Sequence, residues 1–342
     1  MKLNDFITMT EAMGKPLKPW EYNFEFECGD KDYAGLDTFE RYFSYKMMIE
    51  HTAYDNTNKF IKDRFGFVPV CDPDGWNISA SYEIIWDIYK CLWKLNPENK
   101  VSDKSNYAYI DGDIFGNCAF GADTMNSVLI ILGDIAGTGN SLRKIINRWY
   151  DEKRTETEDD WKNKGVKDYI DAYHTLGNFV LVPAGFNGFR GSDNTILDYW
   201  DLSLRHLANR GYFNSKTKAD FNKDKYFKKY INYFFLWDYV EPKECVYWFK
   251  QISPRDKNDE QYESFFTETV KFINRRGKFM TAMINIQLEK AELYKKIQEH
   301  LTSPDFFAES VFDAAKKILE QFNGEIPESA EMLLSELKEE KV

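Results

Sequence analysis

Metal-binding and redox residues are scarce in this chain of 342 residues, which has four histidines and five cysteines. Cys28, Cys71, Cys91, Cys118 and Cys245 are scattered and form no CxxC pair. That spacing excludes a zinc ribbon and a dithiol redox motif, and an odd set of isolated thiols suits a reducing compartment. Basic charge is not in excess either: 45 Lys and Arg face 56 Asp and Glu, a net charge of −11. Such an acidic balance disfavours broad, non-specific binding to nucleic acid or to anionic membranes. The longest aliphatic run, Val128 to Leu132, is far too short to span a bilayer. The opening MKLNDFITMTEAMGK has no apolar core of a secretory signal, so a cytoplasmic protein with no membrane partner is expected. Walker A, Rossmann GxGxxG, GxSxG, HExxH and protein-kinase signatures are all missing. The GTGNS at 137–141 lacks the P-loop lysine and reads as a turn followed by a helix cap.

Aromatic residues are abundant instead, with 27 Phe, 21 Tyr and 9 Trp. Rings of this size dominate the energetics of a core, so packing accounts for them without any stacked ligand. One local basic patch, Lys216, Lys218, Lys223, Lys225, Lys228 and Lys229, is interleaved with Phe221, Tyr226, Phe227 and Tyr230. Its charge pattern reads as a solvated helix face with an aromatic underside.

Helical periodicity prevails along the chain. Phe39, Tyr42, Phe43 and Met47 share one face, as do Ile85, Ile88, Tyr89 and Leu92 before the stop at Asn96–Pro97. Residues 107–120 read as irregular or weakly extended. A helix is expected after Asp123 or Thr124, another from Ser141 to Tyr150, and helical spacing resumes from Ile196 to Leu207. Phe179 to Val182 is the best strand candidate, closed by Pro183. The longest pattern runs from Asp259 to about His300, where Phe266, Val270, Ile273, Gly277, Met280 and Ile284 recur in coiled-coil steps. As one helix this stretch would measure roughly 60 Å, and Gly277 marks either a kink or a close crossing. Ser303-Pro304-Asp305 is a helix start, Asn323-Gly324 a stop, and a last acidic helix begins near Glu328. The expected fold is mainly α with a small β element (α+β). It is a helical bundle-like body over 1–257 with a C-terminal helical extension over 258–342, either separate from the body or packed on it as one domain.

Chemistry-bearing residues concentrate in YHTLGNFVLVPAGFNGFRGSDNTILDYWDLSL, residues 173–204. Asn178 and Asn187 can orient a ligand through their amides, and Arg190 can clamp a phosphate or carboxylate through its planar fork. Asp198 and Asp201 complete this polar set. The same residues equally suit turns, caps and an Arg190 ion pair with Asp193 or Asp198. A second segment, GDIFGNCAFGADTMNS at 112–127, offers Asp123 and Asn126 at a helix start, where capping explains them as well.

Taken together, GADTMNS at 121–127, YHTLGNFVLVPAGFN at 173–187 and DYWDLSL at 198–204 resemble a family of uncharacterised bacterial proteins. The resemblance spans about residues 107–210. It implies that the two segments belong together and carries no activity. The Gly-Asn-aromatic-x-Leu then Asn pattern is also similar to the HNH-type nuclease domains of modification-dependent restriction systems. That likeness implies His174 as the catalytic residue, with Asn187 or Asn194 and His206 following, and a divalent metal. The His-x-x-Pro element of those nucleases is missing here.

The expected function is therefore a binding or interaction protein, with a polar pocket built from 121–127 and 173–201. Its ligand set is Asp123, Asn126, Asn178, Asn187, Arg190, Asp198 and Asp201, with no resident metal. Residues 259–300 are the candidate surface for a protein partner or self-association. A metal-dependent nucleic-acid hydrolase acting in defence against foreign DNA is the alternative, and only that reading brings in a metal or a nucleic acid. A structural subunit of a complex is the third.

Overall fold

The computed structural model describes residues 3–12, 18–23, 87–93, 106–110, 113–121, 137, 144, 165–173, 175–183, 199–209, 225–243, 246–254 and 259–339. Its axis is helix α5, Asp259–Glu289, preceded by α1 (Leu3–Ala12), α2 (Val166–Ala172), α3 (Trp200–Asn209) and α4 (Lys225–Tyr233). Helices α6 (Ala291–Leu301), α7 (Val311–Gln321) and α8 (Glu328–Glu339) follow it. The molecule is mainly α with small β elements. The long periodic stretch does not continue as one rod. Lys290 leaves helical geometry (φ −143°, ψ 68°) and separates α5 from α6, so α5 alone is about 46 Å long.

Helix α5 is buried along most of its length because its apolar residues recur at helical spacing on more than one face. Phe266, Ile273, Met280 and Ile284 are all buried, against α2, α8 and the 3-10 turns at Pro19–Glu21 and Leu176–Asn178. The stripe expected to invite a partner along 259–300 is thus covered by the chain itself. The aromatic excess goes into the same core. Trp93 stacks on Tyr89 at 4.9 Å and meets Phe234 at 5.0 Å, while Phe279 lies edge-on to Phe235 and Trp237 at 4.9 and 5.4 Å.

Strand β3 (Val180–Pro183) sits where the apolar run predicts it. Of the two readings of 107–120, irregular or weakly extended, the structure bears out the extended one. Strands β1 (Asn106–Ile110) and β2 (Asp113–Gly121) form an antiparallel hairpin whose register shifts between Ala108 and Tyr109. The glycines and aspartates that obscured the alternation fall in and around this irregular hairpin. Strand β2 pairs antiparallel with β3, giving the order β1-β2-β3. A separate hairpin, β4 (Val240–Lys243) with β5 (Val246–Phe249), had no counterpart in the sequence reading.

Two further expectations shift. Ser303-Pro304-Asp305 does not open a helix; Ser310 does, its Oγ accepting from Asp313 N at 3.2 Å to cap α7. The stop near Asn323-Gly324 holds, with Phe322 as the C-cap and Gly324 at φ 76°. Helix α8 begins at Glu328 as expected. The basic patch reads as a solvated face where it is described. Phe227 and Tyr230 are buried under α4, while Lys228 lies 3.4 Å over the Phe307 ring and donates to the Pro304 carbonyl. The helices expected around 37–47, after 123 and over 141–150 lie outside the described residues, apart from helical Lys144. Among the described residues, no helix is long and apolar enough to cross a membrane.

Candidate functional site

The sheet register brings one described residue of each polar segment together. Gly121, the first residue of GADTMNS, lies opposite Val180 in the β2–β3 ladder. The start of this segment therefore stands beside the strand that follows the Leu176–Asn178 turn. Asp123, Asn126, His174, Asn187, Arg190 and Asp198 lie outside the described residues, so the site is built here from the residues around them.

Two candidate ligands from the sequence are described, and both are fully buried. Asn178 bridges its own turn to α3: Nδ2 donates to the Tyr173 carbonyl at 2.6 Å, and Oδ1 accepts from Trp200 Nε1 at 2.9 Å. Asp201, in the first turn of α3, binds the chain after β5. Its Oδ2 accepts from Ile252 N (3.2 Å), Ser253 N (3.1 Å) and Ser253 Oγ (2.8 Å). Each side chain thus holds loop backbone in place. Asp201 Oδ1 is sealed from solvent and has no hydrogen-bond partner among the described residues.

The turn these residues shape lies directly on α5. A Cβ on Gly177 would stand 1.7 Å from the Ile273 carbonyl oxygen, so only glycine permits the approach. Gly277 faces it, and there a Cβ would meet Trp20 Cβ at 2.7 Å and Gly177 N at 3.2 Å. Gly277 therefore marks a close crossing on α5, which runs unbroken through it.

Beside the crossing lies a residue the sequence reading passed over. Arg276 is wholly buried, at 1% exposure. Its Nη1 donates to the carbonyls of Gly177 (2.7 Å) and Phe179 (2.9 Å), and Nε donates to that of Phe234 (2.8 Å). A guanidinium has five N–H donors, so these three bonds leave the pair on Nη2. Nη2 has no partner among the described residues. Burial disfavours the charge and lowers the Arg276 pKa; the groups opposing that effect are Tyr89, Tyr239 and Tyr230, with no carboxylate among them. Burial in turn raises Tyr239, keeping its phenol neutral and able to donate, and its hydroxyl is also without a partner among the described residues.

The residue that follows one of these acceptors, Phe234, has a strained backbone. Phe235 has φ 59°, a left-handed conformation that costs a non-glycine residue about 1–2 kcal/mol. Leu236 N reaches back to the Ile231 carbonyl at 3.0 Å, which makes the end of α4 a Schellman turn with Phe in the usual glycine position. Three ring contacts, with Trp93, Trp237 and Phe279, hold Phe235 there. The turn aims the neighbouring Phe234 carbonyl at Arg276.

Next to Arg276 along the helix, Arg275 reaches a different partner. It pairs with buried Asp238 at 3.8 Å and lies 4.3 Å from the Phe312 ring centre. Asp238 Oδ1 also accepts from Val311 N at 3.3 Å, tying the start of α7 to this region. Burial raises the Asp238 pKa despite opposition from Arg275 and Lys250. Of the nuclease-like trio, His206 is described, buried on α3 with its pKa lowered by that burial. Among the described residues, no group of three His, Cys, Asp or Glu side chains gathers as a metal site would.

These elements fall largely within one family model. Residues 122–280 match a family of unknown function, DUF6994. The matched segment runs from just after β2 to Met280, four residues beyond Arg276, and so takes in Gly177, Asn178, Asp201 and Gly277 as well. No curated protein and no solved structure matches the chain.

Proposed function

We propose that this is a cytosolic binding protein for a small anionic ligand, held at Arg276 beneath the 176–179 turn. The observation that carries the reading is a wholly buried guanidinium with three carbonyl partners, two N–H groups left over and no described carboxylate. Carbonyl dipoles solvate part of such a charge but do not neutralise it, and an uncompensated buried ion costs several kcal/mol. An anion at Nη2 would supply the missing charge and accept both remaining donors. Because these atoms are sealed from solvent, the ligand would be enclosed and would exchange through a local opening. The polar pocket read from 121–127 and 173–201 is retained in altered form. Segment 173–201 supplies the carbonyls that position Arg276, while Asn178 and Asp201 hold the backbone that carries them.

The test is thermal unfolding of the purified protein in sodium salts of different anions at equal ionic strength. A ligand that binds only the folded state raises the melting temperature in a saturable way. The expected result is anion-specific stabilisation in wild type that Arg276→Lys abolishes. Indifference to the anion, or the same response in both proteins, overturns the reading.

A further inference from the structure

We propose that the groove between α4 and the β4–β5 hairpin is a peptide-recognition site. The chain fills it in cis with its own residues 304–309. In trans it takes a partner's segment of the same chemistry, two adjacent aromatic residues between acids. This surface lies apart from Arg276, and neither reading depends on the other. The segment joins α6 to α7, and its residues 306–308 form neither helix, turn nor strand.

The body reads the main chain of this segment at every second residue. Lys228 of α4 donates to the Pro304 carbonyl, Asn232 Nδ2 donates to that of Phe306 at 3.3 Å, and Ala308 N donates to Tyr247 Oη at 3.0 Å. The intervening Phe307 carbonyl is taken instead by Lys317 of α7, at 2.7 Å. Such alternation is that of a strand lying along a binding edge. Asn232 and Tyr247 supply the donor and the acceptor that a neighbouring strand would offer. Bonds within the body hold this buried pair in place: Asn232 Oδ1 accepts from Trp237 Nε1 and from Tyr247 Oη, each at 2.8 Å.

In this mode main-chain bonds give affinity, and sockets for the side chains give selectivity. Phe306 is buried against Trp237 (6.0 Å) and His300 (5.2 Å), while Phe307 meets Tyr247 at 5.3 Å with the Lys228 ammonium 3.4 Å from its ring centre. Asp305 and Glu309 flank the rings. Lys250, which follows β5, donates to the Glu309 carbonyl at 3.2 Å and closes the far end. Lys228, Asn232, Tyr247 and Lys250 all lie inside the 122–280 family match, whereas 304–309 lies beyond it. The part shared with the family thus carries the groove, and its filling comes from outside that part.

The experiment empties the groove in the full chain with Phe306→Ala and Phe307→Ala together, with circular dichroism to check folding. It follows the anisotropy of a fluorescent peptide of residues 303–310, SPDFFAES. Wild type should not bind the peptide, because its tethered segment competes at an effective concentration of about a millimolar. The folded double variant should bind it saturably, and about tenfold more weakly once Tyr247→Phe removes one main-chain bond. A peptide with alanine in place of both rings should not bind. No binding by the folded double variant, or equal binding of the alanine peptide, overturns the proposal. If the double variant does not fold, hydrogen exchange in wild type decides. A segment that can yield its groove lifts while the body stays folded, so the Ala308 amide should exchange at least about a hundredfold faster than that of Met280. Equal rates overturn the proposal. A wild-type dimer in light scattering that the double variant loses also overturns it, by giving the groove to a second copy.

Discussion

Replacing Gly177 with alanine tests whether the 176–179 turn depends on direct backbone contact with α5. The added Cβ would sit 1.7 Å from Ile273 O, 2.7 Å from Ile273 C and 2.8 Å from Gly277 N, all main-chain atoms inside or beside a helix. Ordinary contact lies near 3.5 Å, so the turn must lift by roughly 1.5–2 Å. Lifting it pulls the Gly177 and Phe179 carbonyls, now 2.7 and 2.9 Å from Arg276 Nη1, out of hydrogen-bond range. Each bond from a charged donor is worth about 1.5–3 kcal/mol, and overpacking adds about 1–3 kcal/mol. The sum, about 4–9 kcal/mol, is a large share of a typical stability of about 5–15 kcal/mol. Gly277→Ala is the informative comparison. Its Cβ meets Trp20 Cβ at 2.7 Å and Gly177 N at 3.2 Å, a clash about 1 Å shallower than the one at Gly177, so its cost should stay within about 1–3 kcal/mol. Urea unfolding followed by far-ultraviolet circular dichroism gives both values. Gly177→Ala is expected to be the more damaging by at least about 2 kcal/mol. A Gly177→Ala protein within about 1 kcal/mol of wild type, or a reversed ranking, would refute the close-crossing argument.

Asn178→Ala removes the acceptor for Trp200 Nε1 and the donor to the Tyr173 carbonyl, both inside the core. Stranding them should cost about 2–4 kcal/mol, read as a lower urea midpoint; a neutral result would return Asn178 to the list of candidate ligands. Asp238→Asn keeps the acceptor for Val311 N and removes an acid whose pKa is raised in the fold by burial. The native state holds that proton more tightly than the unfolded chain does. Its stabilising contribution is thus fully present below the unfolded value of about 4 and is lost as pH rises through the folded pKa. Melting temperatures of the two proteins should diverge in favour of the variant across that window and converge at more acidic pH. A difference independent of pH would mean that the Arg275 and Lys250 charges, not the burial of Asp238, govern the site.

The helix pattern was legible because burial and periodicity coincide, as at Ile88, Tyr89 and Leu92 or at Leu204 and Leu207. The β1–β2 hairpin was not, since its glycines, aspartates and register shift break the alternation that marks a strand. Arg276 is the more instructive case. The sequence reading followed Ile273, Gly277 and Met280 along α5, and that track skips it. The buried residues Thr269, Ile273, Arg276, Met280 and Met283 recur at steps of four, three, four and three, which puts the arginine on the seam itself. A charged residue at a seam position breaks the apolar pattern, and such a break either finds partners or weakens the fold. Three of those partners are backbone carbonyls, which leave no trace in side-chain identity. Gly177 left a partial trace, because a glycine opposite a helical glycine is what a close crossing requires. Its partner Gly277 lies one hundred residues away in sequence, so only the folded chain could pair them.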